Sequence, residues 1–428
     1  MSSLCNFIPS FVRKSNRRGE VRQRTFLLCA LGAAGLLTAC GTADSYYSGI
    51  TGTGGKFAGI VVADDSHATL VGKEVLKAGG NAFDAAAAMA LTMSVTLPSR
   101  AGLGAGGVCQ SFNPSSQKRQ TLVFFDEDTA SKYAVPALPR AMIALQAEAG
   151  RWRWAQAVTP SEYVAKTGFV ANRPYTLDNK KIKDEQKVTD LPLAATLASL
   201  RANGVQGLYV GKGAKAFMSS AEQSKVTFTV ERLRDFLPEW IDAEKAAYGN
   251  DTAYFLPAFV GGANTAADFM NAAKNEKAGK AQSGTLSGSS KAAGLAVVDA
   301  KGGAVTCVFS MGELFGTGKE VIGTGVFLSS PATLPFTKGA SMIVTNDNVS
   351  EFKYVGYTAT KKAGEDLIKI ADKLLINKQK PDDAFADLVG KSWGGFGAIY
   401  CSEGLPNYPE TCSFITNKNA GGYGVVVN

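Results

Sequence analysis

Both helical and strand periodicities occur along the chain after residue 56. Short apolar runs bounded by glycine, proline or polar residues predict β-strands, and apolar residues spaced three and four apart predict helices. The predicted strands are 59–63, 108–112, 121–125, 295–299, 304–309, 341–345, 395–400 and 423–427. The predicted helices are 66–77, which Ser66 is expected to cap, 81–95, 140–148, 161–166, 193–202, 214–221 and 363–375. The pattern indicates a protein that mixes helices and strands.

The stretch from Ser283 to Pro331 is the one around which the other predicted elements are arranged. It opens with small residues of no fixed period and continues as an apolar run from Leu295 to Asp299. A Lys301-Gly302-Gly303 turn then leads into a second apolar run at 304–309 and a glycine-rich loop. Two apolar runs joined by a short glycine turn predict a buried β-hairpin, and the small residues before it predict an exposed linker.

Composition is that of a folded protein with a large core. The chain has 428 residues, of which 45% are apolar and 19% charged, enough for one large domain or two closely packed ones. Its net charge of +8 is concentrated at the start, because residues 1–39 hold six basic residues and one acidic residue. The remainder has 39 basic and 36 acidic residues, a net charge of +3. No basic face interleaved with aromatic residues remains, so nucleic-acid binding is not expected.

The N-terminus has the features of a bacterial lipoprotein signal. A basic segment precedes an apolar run from Phe26 to Leu37, which is too short to span a bilayer, and Thr38-Ala39-Cys40-Gly41 follows. Residues 37–40 resemble a lipobox, which implies cleavage before Cys40 and attachment of diacylglycerol to its sulfur. We expect a signal peptide at 1–39, a tether at 40–56 and an anchor on the periplasmic face of the cell envelope. Gly41 resembles the residue of lipoproteins sorted to the outer membrane.

Four cysteines remain once the signal and Cys40 are set aside. Cys401 and Cys412 flank a turn-rich loop, and the oxidising compartment that a secretory signal implies favours a disulfide between them. Cys109 and Cys307 lie inside apolar strands, where we expect two buried small hydrophobic residues rather than a disulfide.

A glycine-rich motif and a single histidine resemble parts of cofactor and metal sites, but neither predicts such a site here. Gly102, Gly104 and Gly107 form a literal G-x-G-x-x-G, but the motif follows a helix and precedes a strand, the reverse of the dinucleotide-binding order. We expect tight packing or a flexible wall of the active site there, and no cofactor. His67 is the single histidine of the chain and is expected to be structural, so no metal site is predicted. Hydrolysis would then need carboxylates, a lysine or an N-terminal amine.

Several segments together are similar to the γ-glutamyltransferase family. They are 59–67, 75–86, 98–107, 197–211 and the hairpin with its glycine loops at 315–318 and 323–325. The resemblance covers almost the whole mature chain, 57–428, divided into a large-subunit-like part at 57–291 and a small-subunit-like part at 292–428. It implies an α+β fold, the four-layer αββα sandwich of N-terminal nucleophile hydrolases. It also implies a precursor that cuts itself and the transfer of a γ-glutamyl group to water or an amino acid.

The site residues depart from the pattern of that family. Its Thr-Thr-His sequence at the cut falls at Ala292-Ala293-Gly294, and alanine has no nucleophilic atom, so neither self-cleavage nor an acyl intermediate can start at Ala292. Ser310 matches a threonine hydroxyl of the family. The substituted substrate-binding positions are Glu127 for an arginine, Gly312 for an asparagine, Leu334 for the amino-binding aspartate, Thr337-Lys338 for a serine pair and Ala359-Thr360 for the glycine pair that forms the oxyanion site.

Two functional interpretations follow. The leading one is a catalytically degenerate envelope lipoprotein that binds a small amino-acid or peptide-like ligand or acts as a scaffold. The alternative is an active γ-glutamyl transferase or amidohydrolase that uses Ser290 or a nearby linker serine as an N-terminal nucleophile. In an extended strand Ser290 is displaced from position 292 by about 6.6 Å, whereas catalytic groups tolerate about 1 Å. An active member would mature into two fragments cut near 289–292.

Overall fold

A computed structural model describes residues 56–227, 229–262, 264–277, 285–389 and 394–428. The predicted signal peptide, Cys40 and the tether up to residue 55 lie outside the described residues. Among the described helices, none is long and apolar enough to cross a membrane.

The strands, in chain order, are β1 (Gly59–Ala63), β2 (Gly106–Asn113), β3 (Lys118–Val123), β4 (Phe169–Val170), β5 (Lys187–Val188), β6 (Glu239–Asp242), β7 (Glu244–Tyr248), β8 (Asp251–Phe255), β9 (Ala292–Asp299), β10 (Ala304–Ser310), β11 (Lys319–Val321), β12 (Val326–Leu328), β13 (Ala340–Asn346), β14 (Glu351–Ala359), β15 (Gly395–Leu405), β16 (Cys412–Thr416) and β17 (Tyr423–Val427). The predicted strands are all present; β1 and β17 have the predicted bounds and the others have shifted ends. The predictions did not include β4–β8, β11, β12, β14 or β16.

The helices are α1 (Ser66–Lys77), α2 (Ala82–Thr96), α3 (Pro98–Ala101), α4 (Leu138–Ala149), α5 (Trp154–Thr167), α6 (Arg173–Asp178), α7 (Leu191–Asn203), α8 (Gly211–Gln223), α9 (Val230–Asp235), α10 (Thr265–Lys277), α11 (Ala363–Ala371) and α12 (Pro381–Leu388). A wider π-helical turn, Asp372–Ile376, continues α11, so the predicted helix 363–375 is present in two parts. The predicted helix 161–166 is the second half of α5.

Two antiparallel sheets form the centre of the protein. One has seven strands in the order β17-β1-β9-β10-β2-β3-β6, and the other has six in the order β16-β15-β14-β13-β8-β7. Helices α1 and α2 pack on the outer face of the first sheet, while α10 and α11 pack on the outer face of the second. Because β9 and β14 meet between the sheets, the layers are helix, sheet, sheet, helix. This is the α+β, four-layer αββα sandwich that the resemblance implied.

Helix α2 occupies the core of the first helical layer. All its residues are buried, and its run of alanines lets it lie close to β9 and β10. The Asn81 side chain caps its first turn, and the carboxylate of Asp84 accepts a hydrogen bond from the Asn81 amide in return. For α1, the prediction of Ser66 as the cap was wrong. The carboxylate of Asp65 accepts the hydrogen bond from the Ala68 amide at 2.7 Å, as carboxylates commonly do at this position.

Two disulfides join neighbouring strands. Cys401 and Cys412 are bonded across β15 and β16, which confirms the predicted pair. The prediction that Cys109 and Cys307 are two separate buried thiols was wrong, because they form a disulfide between β2 and β10. These cysteines are 198 positions apart and become direct partners only through the register of the two strands. Apolar strand composition showed that they are buried but did not show that they meet.

The two sheets pack closely around Gly294 of β9. A Cβ atom at this position would lie 2.2 Å from Cδ2 of Tyr357 on β14, so the ring of Tyr357 occupies the space of a side chain. Tyr357 is itself fully buried. The absence of a side chain at Gly294 therefore allows the central hairpin to pack on the second sheet.

We predict that Gly294→Ala lowers the free energy of unfolding by about 1–3 kcal/mol because the added methyl group overpacks this contact. Gly288→Ala is the matched control, since a Cβ there meets nothing closer than 3.8 Å. Urea unfolding of the three proteins measures the effect. Equal losses in the two variants would contradict the assigned role of the Gly294 contact.

Candidate functional site

The hairpin β9–β10 places Ala292 and Ser310 side by side. Ala292 is the first residue of β9, is fully buried and lies directly opposite Ser310, the last residue of β10. Opposed residues of an antiparallel pair direct their side chains to the same face, with Cβ atoms about 4.5–5.5 Å apart. The predicted nucleophile position therefore presents a methyl group beside a hydroxyl group. The Ser310 hydroxyl accepts a hydrogen bond from the Gly312 amide at 3.0 Å.

The linker before β9 is bonded to the end of β14. The Ser290 hydroxyl donates to the Lys338 carbonyl at 2.5 Å, and the Ser290 amide donates to the Ala359 carbonyl at 3.4 Å. Ser289 forms an isolated β-bridge with Thr360. The linker thus lies along the Ala359-Thr360 segment, the place that the resemblance assigned to the oxyanion site.

Further upstream, Ser287 joins the same linker to α11. Its hydroxyl and its amide both donate to the Asp366 carboxylate, at 2.5 Å and 2.9 Å, and the hydroxyl also accepts from the Lys362 amide. Asp366 is fully buried and pairs with Lys369 at 3.1 Å. The linker is therefore bonded to the second sheet and its helix at successive residues.

Ser290 does not have the surroundings of an activated nucleophile. A serine becomes nucleophilic when a neighbouring base takes its proton, but the hydrogen bond found for the Ser290 hydroxyl goes to a backbone carbonyl. His67 is engaged elsewhere, since its Nε2 atom lies 2.8 Å from the Val170 carbonyl and its ring contacts Phe169. Those contacts are of the structural kind expected for His67.

A cavity of about 210 Å³ lies beside Ser310. We call it the Lys338 cavity and define it by its lining residues, which are Gly106, Phe125, Asp126, Ala134, Val135, Ala137, Ser310, Gly312, Ser329, Ser330, Pro331, Ala332, Thr333, Pro335, Phe336, Thr337 and Lys338. Four positions singled out in the sequence line it together: Ser310, Gly312, Thr337 and Lys338. Glu127, Ser290, Ala292, Ala359 and Thr360 are not among its lining residues, and Glu127 is exposed.

The glycine motif forms part of the wall of this cavity. Gly106, inside the motif, lines the cavity. A Cβ atom at Gly104 would lie 2.0 Å from the Phe327 carbonyl oxygen, and one at Gly107 would lie 2.4 Å from that of Val308. The glycines of this loop therefore permit close backbone packing beside the site.

A small network of charges lies near Lys338. Its ammonium group donates to the Gly312 carbonyl and lies 3.8 Å from the Glu313 carboxylate. Glu313 bonds more closely to Lys291, at 2.5 Å, and that hydrogen bond lowers the pKa of the Glu313 carboxyl below its ordinary value. Two lysines thus share one carboxylate, which leaves the group with a net positive charge.

Asp126, the other charged residue of the cavity wall, is already bonded. Its carboxylate receives the Arg232 guanidinium at 2.6 Å, the Val135 amide at 2.7 Å and the Asp128 amide at 3.2 Å. Sequence reasoning did not identify Asp126 as a cavity residue. Its pairing with Arg232, 106 positions away, has no signal in the sequence.

Asp64 connects the two sheets behind the site. Its carboxylate accepts hydrogen bonds from the Gly294 amide on β9 and the Tyr357 hydroxyl on β14, each at 2.9 Å. Burial disfavours the charged form and raises the pKa of the Asp64 carboxyl from 3.8 to about 6, although both hydrogen bonds act in the opposite direction. Burial also raises the pKa of the adjacent Asp65. Sequence reasoning did not single out either carboxylate as a site residue.

The layer order and the central hairpin define the structural class of N-terminal nucleophile hydrolases. A cephalosporin acylase from Bacillus halodurans has the same fold, with a TM-score of 0.67 over 91% of this chain and 99% of that chain, at 15% sequence identity. The family model for gamma-glutamyltranspeptidase matches residues 68–284. The protein belongs to the gamma-glutamyltranspeptidase family.

Similar proteins include two bacterial glutathione hydrolase proenzymes. The one from Pseudomonas aeruginosa is 24% identical over 258 residues, which cover 51% of this chain and 46% of that relative. The one from Bacillus subtilis is 22% identical over 222 residues, covering 42% of this chain and 38% of the relative. The chain therefore spans less than half the length of these curated relatives. The family match ends before the hairpin that carries Ala292.

We predict that Asp64 makes stability depend on pH between about 4 and 6. Because the folded state raises the pKa of Asp64 from 3.8 to about 6, the folded state binds the proton more tightly than the unfolded state, and stability falls as pH rises through this range. Asp64→Asn should remove a pH-dependent loss of about 2–3 kcal/mol in the free energy of unfolding.

Urea unfolding at pH values from 4 to 7 measures this difference. Glu244→Gln, at an exposed carboxylate on β7, is the control and should follow the wild-type curve. Parallel curves for wild type and Asp64→Asn would show that Asp64 does not titrate in this range.

Proposed function

We propose that this protein is a catalytically degenerate member of its family that stays uncut and binds a small ligand. The observation that carries the proposal is Ala292, a buried residue without a nucleophilic atom at the position expected for the nucleophile. The relatives are named glutathione hydrolase proenzymes. Alanine at this position supports a function for the present chain that differs from hydrolysis.

The contacts of the linker support an uncut chain. Ser290, the replacement nucleophile of the alternative interpretation, has its hydroxyl bonded to the Lys338 carbonyl. Ser289 and Ser287 are each bonded to the second sheet or its helix. A linker that bonds to its surroundings in this way contributes to the folded structure as a continuous chain.

A binding role is supported by the retained cavity. The Lys338 cavity combines apolar walls with one lysine and several hydroxyl groups, the composition typical of sites for small molecules. Its position beside Ser310, the strand partner of Ala292, favours a small amino-acid or peptide-like ligand, of the general kind that the family resemblance implies. No cofactor or nucleic acid is part of the proposal.

We further propose that Cys40 is lipidated and that the protein is anchored in the bacterial cell envelope on the periplasmic face, in the outer membrane. The sequence around Cys40 supports this location. The two disulfides of the folded domain support it as well, because disulfides persist in oxidising compartments such as the periplasm.

The first test concerns maturation. The wild-type lipoprotein, purified from membranes, is expected to be one chain from the lipidated cysteine onwards, with no cut at 289–292 by intact mass or N-terminal sequencing. It should not hydrolyse a γ-glutamyl anilide above the rate in buffer, because Ala292 offers no acyl acceptor. Ser290→Ala should give the same results as wild type.

Two results would favour the active alternative over the degenerate one. Two fragments, the smaller one beginning with serine, would establish the active alternative and overturn the degenerate one. So would an uncut chain whose hydrolase activity is lost in Ser290→Ala. Ser115→Ala, at an exposed serine beyond β2, is the matched control and must leave any such activity unchanged.

The second test concerns the anchor. Cys40→Ser should abolish incorporation of labelled fatty acid and move the protein from the membrane to the soluble fraction, because the lipid is the proposed attachment. Cys5→Ser, within the predicted signal peptide, is the control and should leave both properties unchanged. Retention of the Cys40→Ser protein in the membrane would refute lipid anchoring at this residue.

A further inference from the structure

The Lys338 cavity has one charged group that is available to a ligand. Of the described residues that line it, two are charged, Asp126 and Lys338. The Asp126 carboxylate pairs with Arg232, which also lies 3.1 Å from the Asp128 carboxylate, and it accepts two backbone hydrogen bonds. A ligand cation would have to compete with the Arg232 guanidinium and both backbone amides for it. Asp126 is therefore a structural carboxylate and does not serve as an ammonium clamp.

The segment near Leu334, where the family resemblance placed the amino-binding aspartate, contains no Asp or Glu from 331 to 338. Glu127, which stands where the resemblance placed a carboxylate-binding arginine, is exposed and outside the cavity lining. An ammonium group brought into the cavity would lose hydration without gaining a counter-ion. It would also lie in the same small space as the ammonium of Lys338.

Lys338, by contrast, can accept an anion. Its side chain is 36% exposed to solvent. The Glu313 carboxylate lies 3.8 Å from its ammonium group and bonds mainly to Lys291. The Lys338 ammonium has three donor hydrogens, and the bond described for it goes to the Gly312 carbonyl. A ligand carboxylate at this end of the cavity would meet the net positive charge of the two lysines.

One part of the cavity wall is apolar, and the cavity is of the right size for a ring. The rings of Phe125 and Phe336 lie 4.8 Å apart between centroids, and Ala134, Val135 and Ala137 complete this part of the wall. A cavity of about 150 Å³ holds benzene, so about 210 Å³ accommodates a single ring with a short carboxylate chain.

We infer that the Lys338 cavity binds a monocarboxylate with an aromatic or branched apolar body and selects against α-amino acids. This inference rests on the proposed binding function, but it excludes free α-amino acids from the ligands considered there. The carboxylate pairs with Lys338, and the apolar body lies against Phe125 and Phe336. Selectivity comes from the absence of a free carboxylate, which an α-ammonium group would need.

The test compares two ligands that differ only by an amino group. The uncut full chain is titrated calorimetrically with 3-phenylpropionate and with L-phenylalanine at pH 7.5. We expect 3-phenylpropionate to bind roughly tenfold more tightly or better, because the ammonium group of phenylalanine is desolvated without a partner. Acetate should bind far more weakly than 3-phenylpropionate, because it lacks the apolar body.

Variants show whether binding occurs at this site. Lys338→Met keeps the apolar stem of the side chain and removes its charge. It should weaken the binding of 3-phenylpropionate by roughly tenfold. Lys212→Met, at an exposed lysine on α8, should leave the affinity unchanged. Thermal melting of both variants verifies that they are folded.

Different outcomes test the ligand inference and the proposed function on which it rests. Equal or tighter binding of L-phenylalanine, sensitive to Lys338→Met, would overturn the selectivity and leave the degenerate binding function standing. Binding of 3-phenylpropionate that is unaffected by Lys338→Met, or no binding of it at all, would overturn the assignment of this cavity. A chain found cut near 289–292 would overturn the proposed function itself, whatever the titrations show.

Discussion

The close approach of β9 and β14 sets the geometry of the site. Gly294 leaves the space that the ring of Tyr357 fills, and the Asp64 carboxylate bonds to the Gly294 amide and the Tyr357 hydroxyl at once. Ala292 precedes this contact by two residues, and Ala359 follows Tyr357 by two. Because both strands are held at the same point, the ends that border the site are held relative to each other as well.

The same framework surrounds Ala292, the predicted nucleophile position. Its buried methyl group adds neither a polar group to satisfy nor much volume to accommodate. The linker lies along the segment Ala359-Thr360 and bonds to it. Beside this linker, the Lys338 cavity borders Ser310.

The charges around the cavity follow from pairings across the fold. Arg232 pairs with Asp126 and Asp128, and Lys291 lies closer to Glu313 than Lys338 does. Lys338 is left as the cation that a ligand can reach. A charged residue in a wall therefore does not by itself indicate a binding group, since its availability depends on the partner that the fold supplies.

Local pattern was sufficient for the central hairpin and many other elements, and the motifs that resemble the γ-glutamyltransferase family were sufficient for the family. Apolar runs joined by a glycine turn predicted the hairpin strands at 295–299 and 304–309, and the family resemblance implied the αββα fold. The loop between Cys401 and Cys412 indicated their disulfide, because those residues are near in the chain. Strands β6–β8, with their partly exposed residues, carry a weaker apolar signal and were not predicted.

The sequence alone determined that position 292 has no nucleophile, since that is a property of the residue type. Only the tertiary structure decided that Cys109 forms a disulfide with Cys307 and that Arg232 pairs with Asp126. The same holds for the burial of Asp64 between the sheets and for the hydrogen bond from Ser290 to the Lys338 carbonyl. Each of these contacts joins residues from different strands, helices or loops. Which atoms meet there depends on strand register and layer packing, and periodicity within one segment carries no information about either.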